Sequence, residues 1–112
     1  MIEVIVASRC DSCSRCVDVC PSNVFDFDTQ GRPQIARQAD CQSCYLCELY
    51  CSADALYVGP DCEQPEGITE AQALASGTLG QYRRHSGWGE WAGHYRNLQW
   101  RMGEVFQRAR KT

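Results

Sequence analysis

Apolar and polar positions change their rhythm twice along this chain. Ile2-Glu3-Val4-Ile5-Val6 is β-branched and close to alternating, which predicts a strand. Val24-Phe25-Asp26-Phe27 and Arg32-Pro33-Gln34-Ile35-Ala36 predict two more short strands, with Asp28-Thr29-Gln30-Gly31 as the turn between them. Leu56-Tyr57-Val58 predicts a fourth. Two short helices are expected, from Val17 to Cys20, where Pro21 redirects the chain, and from Leu46 to Cys51. Residues 60–68 carry two prolines and three acids and read as a linker. Thr69 is placed to cap a short helix running to Ala75. Ser76-Gly77-Thr78-Leu79-Gly80 and Ser86-Gly87-Trp88-Gly89 are turn-rich. From Glu90 to Arg110 there is no proline, and Trp91, Tyr95, Leu98, Met102 and Val105 form a helical stripe. Gly93 and Gly103 each weaken that helix by about 1 kcal/mol relative to alanine.

The linker divides the 112 residues into an N-terminal part, 1–60, and a C-terminal extension, 61–112. The charge divides with them. Eight acids face four arginines in the first part, and six acids face seven bases in the second. The first residues lack the basic start and apolar run of an export signal, and no stretch reaches the roughly 20 apolar residues of a membrane span. The expected location is the cytoplasm. A first part of about 60 residues is too small to bury a large core and needs a staple.

The cysteines supply one. Cys10, Cys13, Cys16 and Cys20 have the spacing C-x2-C-x2-C-x3-C, and Cys41, Cys44, Cys47 and Cys51 repeat it 31 positions later. Three cysteines at this spacing fit one curled loop, whose N–H groups can point at an anion. Zinc ribbons use two C-x2-C pairs per metal, a poorer match. Disulfides fit neither the odd total of nine cysteines nor a reducing compartment. The ninth, Cys62, lies outside the repeat and reads as a free thiol.

The run, with Pro21 directly after Cys20, resembles that of the bacterial two-cluster ferredoxins over residues 2–59. The resemblance implies an α+β ferredoxin-like fold, with two halves related by an approximate two-fold axis and two [4Fe–4S] cubanes. In such ferredoxins the fourth cysteine of each run ligates the other cluster. Cluster I would then take Cys10, Cys13, Cys16 and Cys51, and cluster II Cys41, Cys44, Cys47 and Cys20. Ser52, where the family usually has proline, departs from the pattern without removing a ligand. A [3Fe–4S] centre would lack the second cysteine of a run, and Cys13 and Cys44 are both present. Loop I is the more polar (Asp11, Ser12, Ser14, Arg15), which predicts the higher potential for cluster I.

No phosphate loop, activated nucleophile or acid–base pair stands out, so no catalytic residue is assigned. The extension holds all three tryptophans, with Tyr82, Tyr95 and Phe106 among seven basic residues. These types are enriched at protein interfaces. The expected surface is Trp88, Trp91, Tyr95, Trp100 and Phe106 within residues 63–112. The overall plan resembles the iron–sulfur β subunit of flavoprotein complexes such as adenylylsulfate reductase. That resemblance implies an electron-transfer subunit between a partner oxidoreductase, which carries the FAD, and an external electron carrier. The alternatives are a free ferredoxin whose extension packs on itself, and an interaction module with structural or redox-sensing clusters. Single-stranded nucleic acid is a poor fit to the acidic first part. His85 and His94 read as surface or interface residues.

Overall fold

The structure, a computed structural model, describes residues 1–91, 93–94 and 98–111. Among the described residues there are four strands: β1 (Ile2–Ile5), β2 (Phe25–Phe27), β3 (Pro33–Ile35) and β4 (Leu56–Val58). Helix α1 (Arg15–Val19) precedes β2, and α2 (Leu46–Tyr50) precedes β4. Three helices follow: α3 (Glu70–Ser76), α4 (Gln81–His85) and α5 (Met102–Arg110). Each predicted element up to Val58 lies where the sequence places it, within a residue or two at its ends.

The cysteine repeat extends to the backbone. β3, α2 and β4 start 31 positions after β1, α1 and β2. The strands form two antiparallel ribbons, β1 with β4 and β2 with β3. Exchanging the two halves maps one ribbon onto the other. The turn into β3 is held by Asp28, whose Oδ1 accepts the Gln30 and Arg32 N–H groups.

The β1–β4 register shifts between Ile2 and Val4. This irregularity decides which side chains face which core, because a bulge breaks strict alternation. Ile2 joins Val24, Phe25, Leu56, Val58 and the thiols of Cys16, Cys20 and Cys47 in one core, with Ile5 against it. Val4 and Val6 turn to the other side and pack with Ala73 and Leu79. Both faces of β1 are therefore covered, the second by the extension.

Thr69 caps α3 as expected, through a reciprocal capping box with Gln72. The Glu70 carboxylate then accepts the Ala7 N–H at 2.7 Å, tying α3 to the end of β1. The expected continuous helix from Glu90 is not what forms. Trp91 lies in a turn, Gln99–Arg101 is a 3-10 turn, and α5 covers only Met102–Arg110. Tyr95 lies outside the described residues. Gly103 has a use there. It is buried against α1, where a Cβ would stand 3.0 Å from the Asp18 Cα and carbonyl oxygen. Among the described residues no helix is long and apolar enough to cross a membrane.

Candidate metal centre

Each cysteine run forms a loop that enters a five-residue helix. The curl is carried by residues in the left-handed region: Ser12 and Ser14 at φ 61 and 67°, Ser43 and Tyr45 at 54 and 63°. Asn23 and Asp54, at 57 and 51°, form a third matched pair beyond the helices. Six non-glycine residues with positive φ, paired 31 positions apart, mark backbone held in place by its surroundings. Such curls turn successive N–H groups toward one point, the geometry of an anion nest. Cys41 Sγ accepts the N–H groups of Ile2 at 3.3 Å and Ser43 at 3.4 Å, and Cys51 Sγ accepts that of Ala55 at 3.3 Å. These donors favour thiolates over thiols.

The thiols act on one another both within and across the two sequence runs. Burial pushes the Cys16 thiol up to about 12, and the nearby charges of Cys51, Cys13 and Cys10 add to the shift. Burial likewise holds Cys47 well above its ordinary value, with contributions from Cys16, Cys44, Cys20 and Cys41. Cys51 is raised too, first by burial. Cys20 and Cys51 sit as the C-caps of α1 and α2, with Cys20 acting on Cys47 and Cys51 on Cys16. Cys13 and Cys44 are exposed, whereas Cys16, Cys20 and Cys47 are buried.

Cys20, Cys41, Cys44 and Cys47 line one small cavity of about 20 Å³, walled by Ile2, Val24, Phe25 and Val58. Ser43 also lines it, and its buried hydroxyl has no hydrogen-bond partner. Among the described residues no three His, Cys, Asp or Glu side chains converge on a point that would hold a single metal ion. A cubane asks for something else: four thiolates spread over separate iron corners around a shared volume. Four thiols around one cavity, with backbone donors and an idle hydroxyl, fit that group. Its binding must displace protons from thiols that burial keeps neutral.

The extension lies over both loops. Tyr82 stacks on Tyr45, ring centroids 4.6 Å apart, and Trp88 meets Tyr50 edge-on at 5.2 Å. The Arg15 guanidinium lies 3.5 Å from the centroid of the Trp100 ring. Arg110 donates to the Cys20 carbonyl at 3.2 Å, and the Gln99 N–H donates to the Tyr50 hydroxyl. Arg84 pairs with Asp54 at 3.2 Å, beside Gly80. Of the aromatic residues expected to form a docking surface, Trp88, Trp100 and Phe106 are half-buried in this packing, and Trp91 stays 53% exposed. Leu98, Met102 and Val105 face outward. Cys62, His85 and His94 are exposed.

Sequence reasoning missed Glu48, a buried carboxyl at the middle of α2. Burial pushes it up to about 7, opposed by a hydrogen bond from the Tyr82 backbone. A glutamate within a C-x3-C segment was the available signal, but an acid on a short helix usually faces solvent.

Residues 9–55, which include all eight paired cysteines, match the model of the 4Fe-4S dicluster domain. An uncharacterized ferredoxin of Methanocaldococcus jannaschii is 37% identical over 49 residues, covering 44% of this chain and 77% of that relative. No solved structure matches the chain.

Proposed function

The chain belongs to the ferredoxin family, and from that premise we propose that it relays single electrons through two [4Fe–4S] clusters as the iron–sulfur subunit of an oxidoreductase. The observation that carries this reading is that Cys20 lines one cavity with Cys41, Cys44 and Cys47 of the other run. The influence of Cys51 on Cys16 supports the matching set of Cys10, Cys13, Cys16 and Cys51. A bound [4Fe–4S] cluster takes up and gives back one electron at nearly fixed geometry. The residues of this chain hold the thiolates in place, direct backbone N–H groups at sulfur and keep the inner corners dry. The closeness of Cys16 to Cys47 supports passage of the electron from one cluster to the other. The exposed Cys13 and Cys44 offer corners where it can enter and leave.

The partner in this reading is a flavin enzyme, whose FAD handles electrons in pairs and passes them on singly. An external carrier takes them from there. The outward Trp91, Leu98, Met102 and Val105 support docking through the extension. They extend the expected surface of Trp88, Trp91, Tyr95, Trp100 and Phe106, of which Trp88, Trp100 and Phe106 are half-buried. Arg101 and Arg108 flank them, suiting a partner with an acidic rim.

A second reading, a free ferredoxin whose extension serves its own fold, is favoured by the stacking of Trp100, Trp88 and Tyr82 on the cysteine-bearing part. Anaerobic affinity purification of the full chain and of a chain ending at Cys62 separates the two. A flavoprotein retained by the full chain and lost on truncation is the expected result. Intact, reducible clusters with no retained flavoprotein in either form would establish the free ferredoxin instead.

A further inference from the structure

Two buried side-chain oxygens among the described residues lack a hydrogen-bond partner, Asp54 Oδ1 and Ser43 Oγ. The Asp54 carboxylate is engaged through its other oxygen with Arg84. Ser43 has no such relief. Its hydroxyl can donate once and accept twice, and neither capacity is used. Buried hydroxyls in folded proteins are nearly always satisfied, so an idle one calls for an explanation.

The surroundings supply it. Ser43 lies between Cys41 and Cys44 and lines the same cavity as Cys20, Cys41, Cys44 and Cys47. Its backbone N–H already donates to Cys41 Sγ at 3.4 Å. Four sulfurs around that cavity are acceptors once deprotonated, and a cluster placed there adds sulfides. We propose that Ser43 donates its O–H to a sulfur of the cluster held by Cys41, Cys44, Cys47 and Cys20, and so sets that cluster's reduction potential above the value the apolar cavity alone would give. The inference rests on the cluster assignment made above.

The physics fixes the sign. Reduction adds one electron, whose charge spreads over the sulfurs. A donor aimed at sulfur stabilises the reduced form more than the oxidised form, and the potential rises. The cavity's apolar walls act the other way, because they disfavour added charge. Ser43 therefore works against the ordering that loop polarity alone predicts. Its counterpart, Ser12, occupies the equivalent position of loop I with the same left-handed backbone, but it is exposed. The repeat thus provides an internal control.

The test is an anaerobic potentiometric titration of the holoprotein followed by electron paramagnetic resonance, with iron and sulfide content measured alongside. Ser43→Gly suits the positive φ, Ser43→Ala keeps the Cβ, and Ser43→Thr keeps the O–H. The expected result is a shift to lower potential of one cluster in the glycine and alanine variants and recovery in the threonine variant. Ser12→Gly should leave both potentials unchanged. Equal potentials for wild type and Ser43→Gly at equal iron content overturn the proposal. Should the variants lose iron, comparison of the wild type with a reconstituted variant decides the matter. An exchangeable proton coupled to the second cluster, seen by double resonance in H2O and lost in D2O, must be absent from a Ser43→Gly sample reconstituted with iron and sulfide. Iron sufficient for only one cluster in the wild type would instead overturn the assignment beneath the proposal.

Discussion

In the proposed assignment Cys20 and Cys51 each end one run in sequence and bind with the thiols of the other; Cys20 lines one cavity with Cys41, Cys44 and Cys47. The cause is local. Each follows a five-residue helix that carries the chain out of its loop, and its backbone is extended (ψ 112° and 93°). Removal of either residue therefore acts across the molecule. Cys20→Ala should lose the cluster grouped with Cys41, Cys44 and Cys47 while the group of Cys10, Cys13 and Cys16 stays loaded. Cys51→Ala should do the reverse. Iron should fall to about half in each variant, and the remaining resonance signal should differ between the two. If Cys20→Ala instead removed the signal that Cys13→Ala removes, each run would hold its own cluster and the crossed assignment would fail. The left-handed residues belong to the same scale. Tyr45 carries a bulky ring at φ 63°, a conformation costing roughly 1 kcal/mol or more. Stacking with Tyr82 from the extension helps to hold it there.

Among the elements, the packing of α5 on α1 turns on one glycine. A side chain at 103 meets the Asp18 backbone, which cannot move aside without moving α1. Gly103→Leu should push α5 away, separate Trp100 from Arg15 and cost about 1–3 kcal/mol. The readout is a red shift of tryptophan emission together with a lower midpoint in chemical denaturation. Gly93→Ala is the matched control, since a Cβ there meets nothing within 4 Å. A Gly103 variant with unaltered emission would show that this contact does not hold the extension. The second core gives a comparison on another element. Leu79 is 5% exposed against Val4, Val6 and Ala73, and Leu79→Ala should cost about 2–5 kcal/mol without altering iron content.

The same elements show what the sequence could and could not disclose. The strands, the two loop helices and the Thr69 cap were legible because each has a local cause: alternation, Pro21, a capping side chain. The cysteine spacing disclosed the candidate site for the same reason. The face of α5 was not legible. The stripe Leu98, Met102 and Val105 marks the apolar side of the helix, yet it points outward. The inward side is built from Gly103, Phe106 and Arg110, with Trp100 beneath Arg15. Small residues and snorkelling arginines make a tight interface that periodicity scores as polar. The crossed ligand sets entered through the family resemblance and not through spacing, and the idle Ser43 hydroxyl was hidden, since its cavity joins halves distant in sequence.

For the whole molecule, fold and cofactor are one problem. The first core counts Cys16, Cys20 and Cys47 among its buried members, beside only five larger apolar side chains. A core that small contributes few kcal/mol after chain entropy, and two clusters with eight ligand bonds would supply the missing stabilisation. The second core contains no thiol. Iron removal should therefore act unevenly. Chelation under anaerobic, reducing conditions should abolish near-ultraviolet dichroism from the Tyr45, Tyr50 and Trp88 surroundings and broaden the denaturation transition. Reconstitution with ferrous iron and sulfide should restore both. The charge balance points the same way. Each cluster with its thiolates carries about two negative charges, added to a first part that already has four more acids than bases. The basic extension, anchored by Arg84 on Asp54 and Arg110 on Cys20, lies where it offsets that charge. Truncation at Cys62 should thus lower both cluster potentials and make them more sensitive to salt, because screening would replace the lost arginines. Potentiometric titrations of the full and truncated holoproteins at low and high ionic strength measure this directly. Identical potentials at low salt would mean that the extension contributes packing alone and that its positive charge is directed at a partner.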